Sequence, residues 1–72
     1  MLNSWRRRRR PGRAELIDLK HRLAGEIRML DAELRSRQRS GRPTGDVQRR
    51  LELTRNRHFE TRLEIDRAEF EQ

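Results

Sequence analysis

The chain contains no cysteine and no tyrosine, and only three of its 72 residues are aromatic. The lack of cysteine excludes disulfides and thiolate metal sites. Chains of this length bury a small core, which commonly has to be supplemented by a disulfide, a metal or a partner subunit. We therefore expect this chain to gain stability from self-association or from a larger partner.

Long hydrophobic runs are also absent. No apolar segment approaches the ~20 residues that a membrane span needs. The basic start is followed by Pro11 and Gly12 and then by charged sequence, where a signal peptide would carry an apolar stretch. We expect a cytoplasmic protein, or a part of an intracellular or virion assembly, that is neither secreted nor transmembrane.

Charge is abundant and unevenly distributed along the chain. Of all residues 43% are charged and 31% are hydrophobic, and the net charge is +7. Residues 1–13 carry six arginines and no acid, and residues 35–57 carry eight bases and two acids, so each segment has a net charge of +6. Residues 14–34 and 58–72 have net charges of −2 and −3. The order is a basic arm, an acidic segment, a basic middle and an acidic end.

The apolar residues after the arm follow a helical period. In the first half of the chain, leucines recur every seven residues. A second series of positions, also seven apart, lies between them and is apolar except for one lysine. The stripe consists of Leu16, Lys20, Leu23, Ile27, Leu30 and Leu34. Acid-then-base pairs four residues apart, such as those beginning at Asp18, Asp31 and Glu33, support an exposed helical face. This pattern predicts helix 1.

The segment from Ser40 to Gly45 predicts a loop, because Gly41 suits a helix C-cap and Pro43 prevents the helix from continuing. We therefore predict an all-α, antiparallel, coiled-coil-like two-helix hairpin, completed by dimerisation or by docking on a partner. Its predicted parts are a flexible basic arm at 1–12 and the hairpin at 13–72, with helix 1 at about 13–37, the loop at 38–45 and helix 2 at about 46–70.

Helix 2 carries two apolar stripes. The first is predicted to face helix 1 and comprises Val47, Leu51, Thr54, His58, Ile65 and Ala68. The second, Phe59, Leu63 and Phe70, lies about 120 to 160° away around the helix. A two-helix hairpin has one internal face, so the second stripe is interpreted as an interface, most simply with a second copy in a four-helix bundle. The alternative is one wide face partly covered by the arm.

The arm and the loop end are the candidate polyanion-binding sites. Arg6, Arg7, Arg8, Arg9 and Arg10 match phosphate geometry, and neutralising phosphates releases counterions in a manner independent of nucleotide sequence. An acidic protein surface is the alternative partner for the arm, and an anionic membrane or plain solvation are weaker ones. Hairpin pairing would add the loop-end residues Arg42, Arg49 and Arg50.

Residues of the types used in catalysis are present but are not arranged for it. His21 is expected on the outer face and His58 at the edge of the helix interface, with no further ligand at metal spacing. Paired acids such as Glu60 and Glu64 lack a pocket that could shift their proton affinity. We expect no enzyme activity, no cofactor, no metal and no small-molecule substrate.

The sequence therefore favours a small non-enzymatic accessory protein. We expect the hairpin to associate, as a homo-oligomer or within a larger assembly, while the arm and the loop end bind RNA or DNA non-specifically. The alternative is a structural protein–protein interaction component or regulator that binds through Phe59, Leu63 and Phe70, with the arm docked on an acidic protein surface.

Overall fold

A computed structural model describes the backbone of residues 11–70 and the side chains of residues 11–69. Within that range the chain forms two α-helices, α1 at Arg13–Ser40 and α2 at Gly45–Phe70, which pack against each other. The prediction of an all-helical hairpin is confirmed. No helix within residues 11–70 combines the length and the apolar character needed to cross a membrane.

Both ends of α1 are closed by local hydrogen bonds. At the start, the Gly12 N–H donates to Oε1 of Glu15 at 2.8 Å. At the other end Gly41 adopts the left-handed conformation (φ 73°), and the Arg42 N–H donates to the Arg37 carbonyl at 2.9 Å. This is the bonding expected of a glycine C-cap. Because the cap is Gly41 itself, α1 continues three residues beyond the predicted end near residue 37.

The helix interface follows the predicted seven-residue repeat. In α1 the three leucines of the repeat are buried, and the interleaved Lys20, Ile27 and Leu34 are half-buried. In α2 the buried residues are Val47, Leu51, Thr54, Thr61 and Ile65. Alternating steps of three and four residues connect these positions through half-buried His58, as in other helix pairs with a heptad seam.

Thr61 is not part of the predicted face, although Thr54 is, yet it is only 4% exposed. Its hydroxyl donates to the Arg57 carbonyl at 2.8 Å, and the Thr54 hydroxyl donates to the Arg50 carbonyl at the same distance. Each hydroxyl is thereby satisfied within its own helix, one turn back. The methyl group of each threonine remains available for packing, which is why the seam accepts both residues.

The apolar core is concentrated beside the loop. Leu30, Val47 and Leu51 form the buried cluster, against which Ile27 and Leu34 pack. The other buried leucines of α1 and Ile65 of α2 lie nearer the open end and are not part of this cluster. The two halves of one seam are therefore packed differently.

Ion pairs link the two helices on their surface. Arg13 pairs with Glu69 at the open end, and Nη2 of Arg55 lies 3.3 Å from Oδ1 of Asp31 nearer the loop. These pairs show that the helices run antiparallel. The predicted pairing of Asp31 with Arg35 in the same helix is wrong, because Asp31 faces the neighbouring helix and meets Arg55.

The other two pairs predicted within α1 are confirmed. Nε of Arg22 lies 3.5 Å from a carboxylate oxygen of Asp18, and Nη2 of Arg37 lies 2.7 Å from Oε2 of Glu33. The two pairs differ in exposure, since the Arg22 side chain is mostly exposed and that of Arg37 is not.

Candidate interaction surfaces

The loop end of the hairpin is basic. Residues 35–57 include the last turns of α1, the loop and the first half of α2, and they carry eight arginines and two acids. The three arginines predicted to bind polyanions at this end, Arg42, Arg49 and Arg50, are all exposed. Because the chain folds back at the loop, arginines that are spread over 23 residues of sequence lie toward the same end of the hairpin.

Arg37 has a different role from the other loop-end arginines. Its side chain is 24% exposed, and Nη1 donates to Oδ1 of Asp46 at 2.9 Å and to the Pro43 carbonyl at 3.2 Å. With its bond to Glu33, it connects α1, the loop and the start of α2. The sequence predicts its pair with Glu33 on an exposed face, but not its contacts with Asp46 and Pro43. Its position seven residues after Leu30, on the buried repeat, was the signal that could have revealed this role.

Most of the remaining loop-end arginines are available to a ligand. Besides Arg37, Arg55 also forms an ion pair, with Asp31. Within residues 11–70 the other six arginines of segment 35–57 make no ion pair with another described side chain; five lie toward the loop (Arg35, Arg39, Arg42, Arg49 and Arg50), and Arg57 lies beside Leu23 and Glu26. Arg42 also donates through Nε to the Ser40 hydroxyl at 3.2 Å.

Two predicted components fall outside what is described. Arg6, Arg7, Arg8, Arg9 and Arg10 precede the first described residue, and the side chain of Phe70 follows the last described one. The sequence joins the arginine run directly to the start of α1, at the opposite end of the hairpin from the loop.

The second stripe of α2 is on the surface. Phe59 is 58% exposed and Leu63 is 45% exposed. The prediction placed these two side chains on the side of α2 that faces away from α1, and their exposure agrees with that placement. Exposed large apolar side chains that lie together are typical of interaction sites.

A further surface lies on one flank of the hairpin and was not found from the sequence. A shallow groove there is lined by Leu19, Arg22, Leu23, Gly25, Glu26, Met29 and Arg57. Met29 is 73% exposed, and Leu53, which lines the adjoining groove with Leu23, Glu26 and Arg57, is 59% exposed. Met29 and Leu53 fall outside the heptad stripes of their helices, so a search for repeats passes over them.

The ionisable residues provide no metal centre in the described range. His21 is exposed and His58 is half-buried at the interface, as predicted. No group of three or more histidines, aspartates and glutamates within residues 11–70 could hold a metal ion. Glu60 and Glu64 are exposed.

No family model, no curated protein and no solved structure matches the chain. Its function is therefore inferred from the chemistry of the three surfaces: the basic loop end, the Phe59–Leu63 stripe and the Leu19–Met29 groove.

Proposed function

We propose that the protein is a non-enzymatic accessory protein that binds nucleic acid non-specifically. The binding groups are Arg6 to Arg10 in the arm and Arg42, Arg49 and Arg50 at the loop end. The observation that carries this proposal is the cluster of exposed loop-end arginines that have no acidic partner among the described residues. Such a cluster is unfavourable to the isolated protein, and a polyanion would relieve the repulsion between its charges.

Helix-dipole effects do not account for this distribution of charge. Acids near a helix N-terminus and bases near its C-terminus are stabilising. Helix α1 follows that rule, with Glu15 in its first turn and Arg39 in its last. Helix α2 follows it too, with Asp46 in its first turn and Arg67 in its last, and Arg49 and Arg50 lie beyond the first turn. The dipole therefore gives no reason for the presence of Arg49 and Arg50, and both side chains remain exposed to a ligand.

The proposed mode of binding has a defined salt dependence. Each phosphate neutralised by an arginine releases condensed counterions, so the logarithm of affinity falls linearly with the logarithm of salt concentration. The slope is roughly 0.7 per contact for single strands and 0.9 per contact for duplex DNA. Since the contacts go to phosphates and not to base edges, affinity should vary little with nucleotide sequence.

Fluorescence anisotropy with labelled single-stranded RNA and duplex DNA tests the proposal. The full chain is compared with a variant lacking residues 1–10 and with a triple variant in which Arg42, Arg49 and Arg50 are changed to Gln. A matched control changes Arg28, Arg62 and Arg67 to Gln, which removes the same charge from exposed positions away from the loop.

We expect the arm deletion to remove most of the affinity. The loop-end triple variant should lower the magnitude of the salt slope by the amount that corresponds to about two to three phosphate contacts. The matched control should have a clearly smaller effect than the loop-end variant. Equal losses in the two triple variants would show that net charge alone matters and that the loop end is not a site. Unchanged binding after the arm deletion would contradict the role of the arginine run.

A second function is favoured by the exposure of Phe59 and Leu63. In this alternative the protein is a structural interaction component that binds a partner protein through Phe59, Leu63 and Phe70, with the arginine arm on an acidic protein surface. Proteins that co-purify with the tagged chain from its own cells would then persist after nuclease treatment. They would be lost with Phe59→Glu, whereas under nucleic-acid binding the nuclease would release them.

A further inference from the structure

The groove on the α1 flank has features of a helix-packing surface. Leu19 and Met29 lie at its two ends, with Arg22 and Glu26 between them. Gly25 lies near the middle, and a Cβ added there would meet nothing closer than Nη2 of Arg28 at 3.8 Å. The absence of a side chain at this position allows the backbone of another helix to approach closely.

The order of residues along this groove is self-complementary. Leu19 and Met29 are equally far from position 24, and so are Arg22 and Glu26. If two copies of α1 crossed antiparallel at that point, each Leu19 would meet the partner's Met29. Each Arg22 would likewise meet the partner's Glu26. A twofold symmetric interface requires this property, because the same patch must be complementary to itself.

The charge of the whole hairpin favours the same arrangement. The loop-end segment 35–57 has a net charge of +6, whereas the rest of the chain, including the arm, has a net charge of +1. Two hairpins packed in parallel would bring both basic ends together. Antiparallel packing instead places the basic end of each hairpin beside the nearly neutral open end of the other, which avoids the repulsion between the two loop ends.

We propose that this flank of α1 is the binding site for a second copy of the chain, packed antiparallel about a twofold axis near Ala24 and Gly25. The occupant is a second copy because the groove complements itself in both apolar and charged positions. This inference rests on the self-association that the sequence predicts, and it does not depend on the proposed binding of nucleic acid. It assigns the contact to the α1 flank and not to Phe59 and Leu63.

Sedimentation equilibrium of the full chain without polynucleotide, at low and moderate salt, tests the proposal. The variants are Arg22→Glu, Glu26→Arg and an equimolar mixture of the two. In a dimer of either single variant, the two interface pairs bring like charges together. In the mixture, the chain with acids at both positions faces the chain with bases at both positions. Pairs within one chain cannot produce this rescue.

We expect the full chain to dimerise, each single variant to dimerise at least about tenfold more weakly, and the mixture to recover affinity close to that of the unmodified chain. Gly25→Leu should abolish the dimer, because its side chain fills the crossing point. Its helical content, measured by circular dichroism, should be retained, since the space at Gly25 lies outside the hairpin interface. Phe59→Ser serves as the matched surface control and should leave the dimer intact.

Three results would overturn the proposal. The first is a full chain that remains monomeric at concentrations up to about 1 mM, which corresponds to a binding free energy weaker than about −4 kcal/mol. The second is a dimer that survives Gly25→Leu but is lost with Phe59→Ser, which would assign self-association to the α2 stripe. The third is a mixture that remains as weak as its two components, which would exclude the antiparallel pairing of Arg22 with Glu26. None of these results bears on polynucleotide affinity.

Discussion

The loop half and the open half of the hairpin share one heptad seam but differ in how they are held. Beside the loop, Leu30, Val47 and Leu51 form a buried apolar cluster. Toward the open end the buried Leu16, Leu23 and Ile65 alternate with half-buried Lys20 and buried Thr61, and the ends are joined by the exposed ion pair of Arg13 with Glu69. Exposed pairs contribute little, whereas apolar clusters dominate stability. The comparison indicates that contacts in the loop half contribute more to the stability of the hairpin than contacts in the open half.

The largest expected effect is loss of a leucine from the cluster. Leu51→Ala should lower the free energy of unfolding by about 2 to 4 kcal/mol, since it removes apolar contacts and leaves a cavity. Leu16→Ala is the matched variant, because Leu16 is 5% exposed and Leu51 is 4% exposed. We expect a clearly smaller loss of unfolding free energy for Leu16→Ala, because the open end of the hairpin can separate locally while the rest of the hairpin stays folded. Urea melts followed by circular dichroism measure both, and equal losses would contradict the contrast between the halves.

The next effect concerns the turn between the helices. Gly41 has a φ of 73°, so Gly41→Ala places a Cβ in the left-handed region and should cost about 1 to 2 kcal/mol. Gly45 has an ordinary backbone conformation and open space around it, so Gly45→Ala should be neutral or stabilising by up to about 1 kcal/mol. Gly41→Ala should therefore lower the melting temperature, whereas Gly45→Ala should leave it unchanged or raise it. A common direction would show that the turn does not limit the stability of the loop half.

A smaller effect is expected from Arg37, which binds Glu33, Asp46 and the Pro43 carbonyl. Arg37→Gln cannot hold all three groups and should lower the free energy of unfolding by about 1 kcal/mol, a modest value because both carboxylates are substantially exposed. Arg39→Gln, an exposed change in the same turn, should have little effect. If the two variants melted alike, the Arg37 contacts would not contribute to holding the loop.

The smallest expected effect is a gain in the open half. Thr61→Val keeps the branched shape and removes a hydroxyl whose partner, the Arg57 carbonyl, belongs to the α2 backbone. Replacing a buried polar group by an apolar one of similar shape should add about 0.5 kcal/mol in this seam. Thermal melting monitored at 222 nm provides the measurement. A lower melting temperature would show that the Thr61 hydroxyl stabilises the seam.

Much of the fold could be predicted because the determining signals are local. The leucines of α1, spaced by seven, defined the helix and its buried face, and Gly41 with Pro43 defined the turn. The burial of Thr61 and the contacts of Arg37 with Asp46 and Pro43 were missed. The burial of Thr61 depends on a hydrogen bond within its own helix, and that of Arg37 on acids from two different parts of the chain.

The candidate sites divide in the same way. Exposure of Phe59 and Leu63 could be anticipated from their angular separation from the seam. The Leu19–Met29 groove could not be anticipated, since its shape depends on how α2 lies beside α1 and contributes Arg57. The spacing of residues along a single helix does not show how the two helices pack against each other.

The position of the apolar cluster also determines where the two helices separate first. Since the cluster lies beside the loop, transient opening should begin at the termini, and amide hydrogen exchange should slow progressively from Arg13 toward Leu30. The arginine run is joined to the end that opens first. Tension on the arm would therefore fray the first turns of α1 while leaving the loop end, with its own arginines, intact.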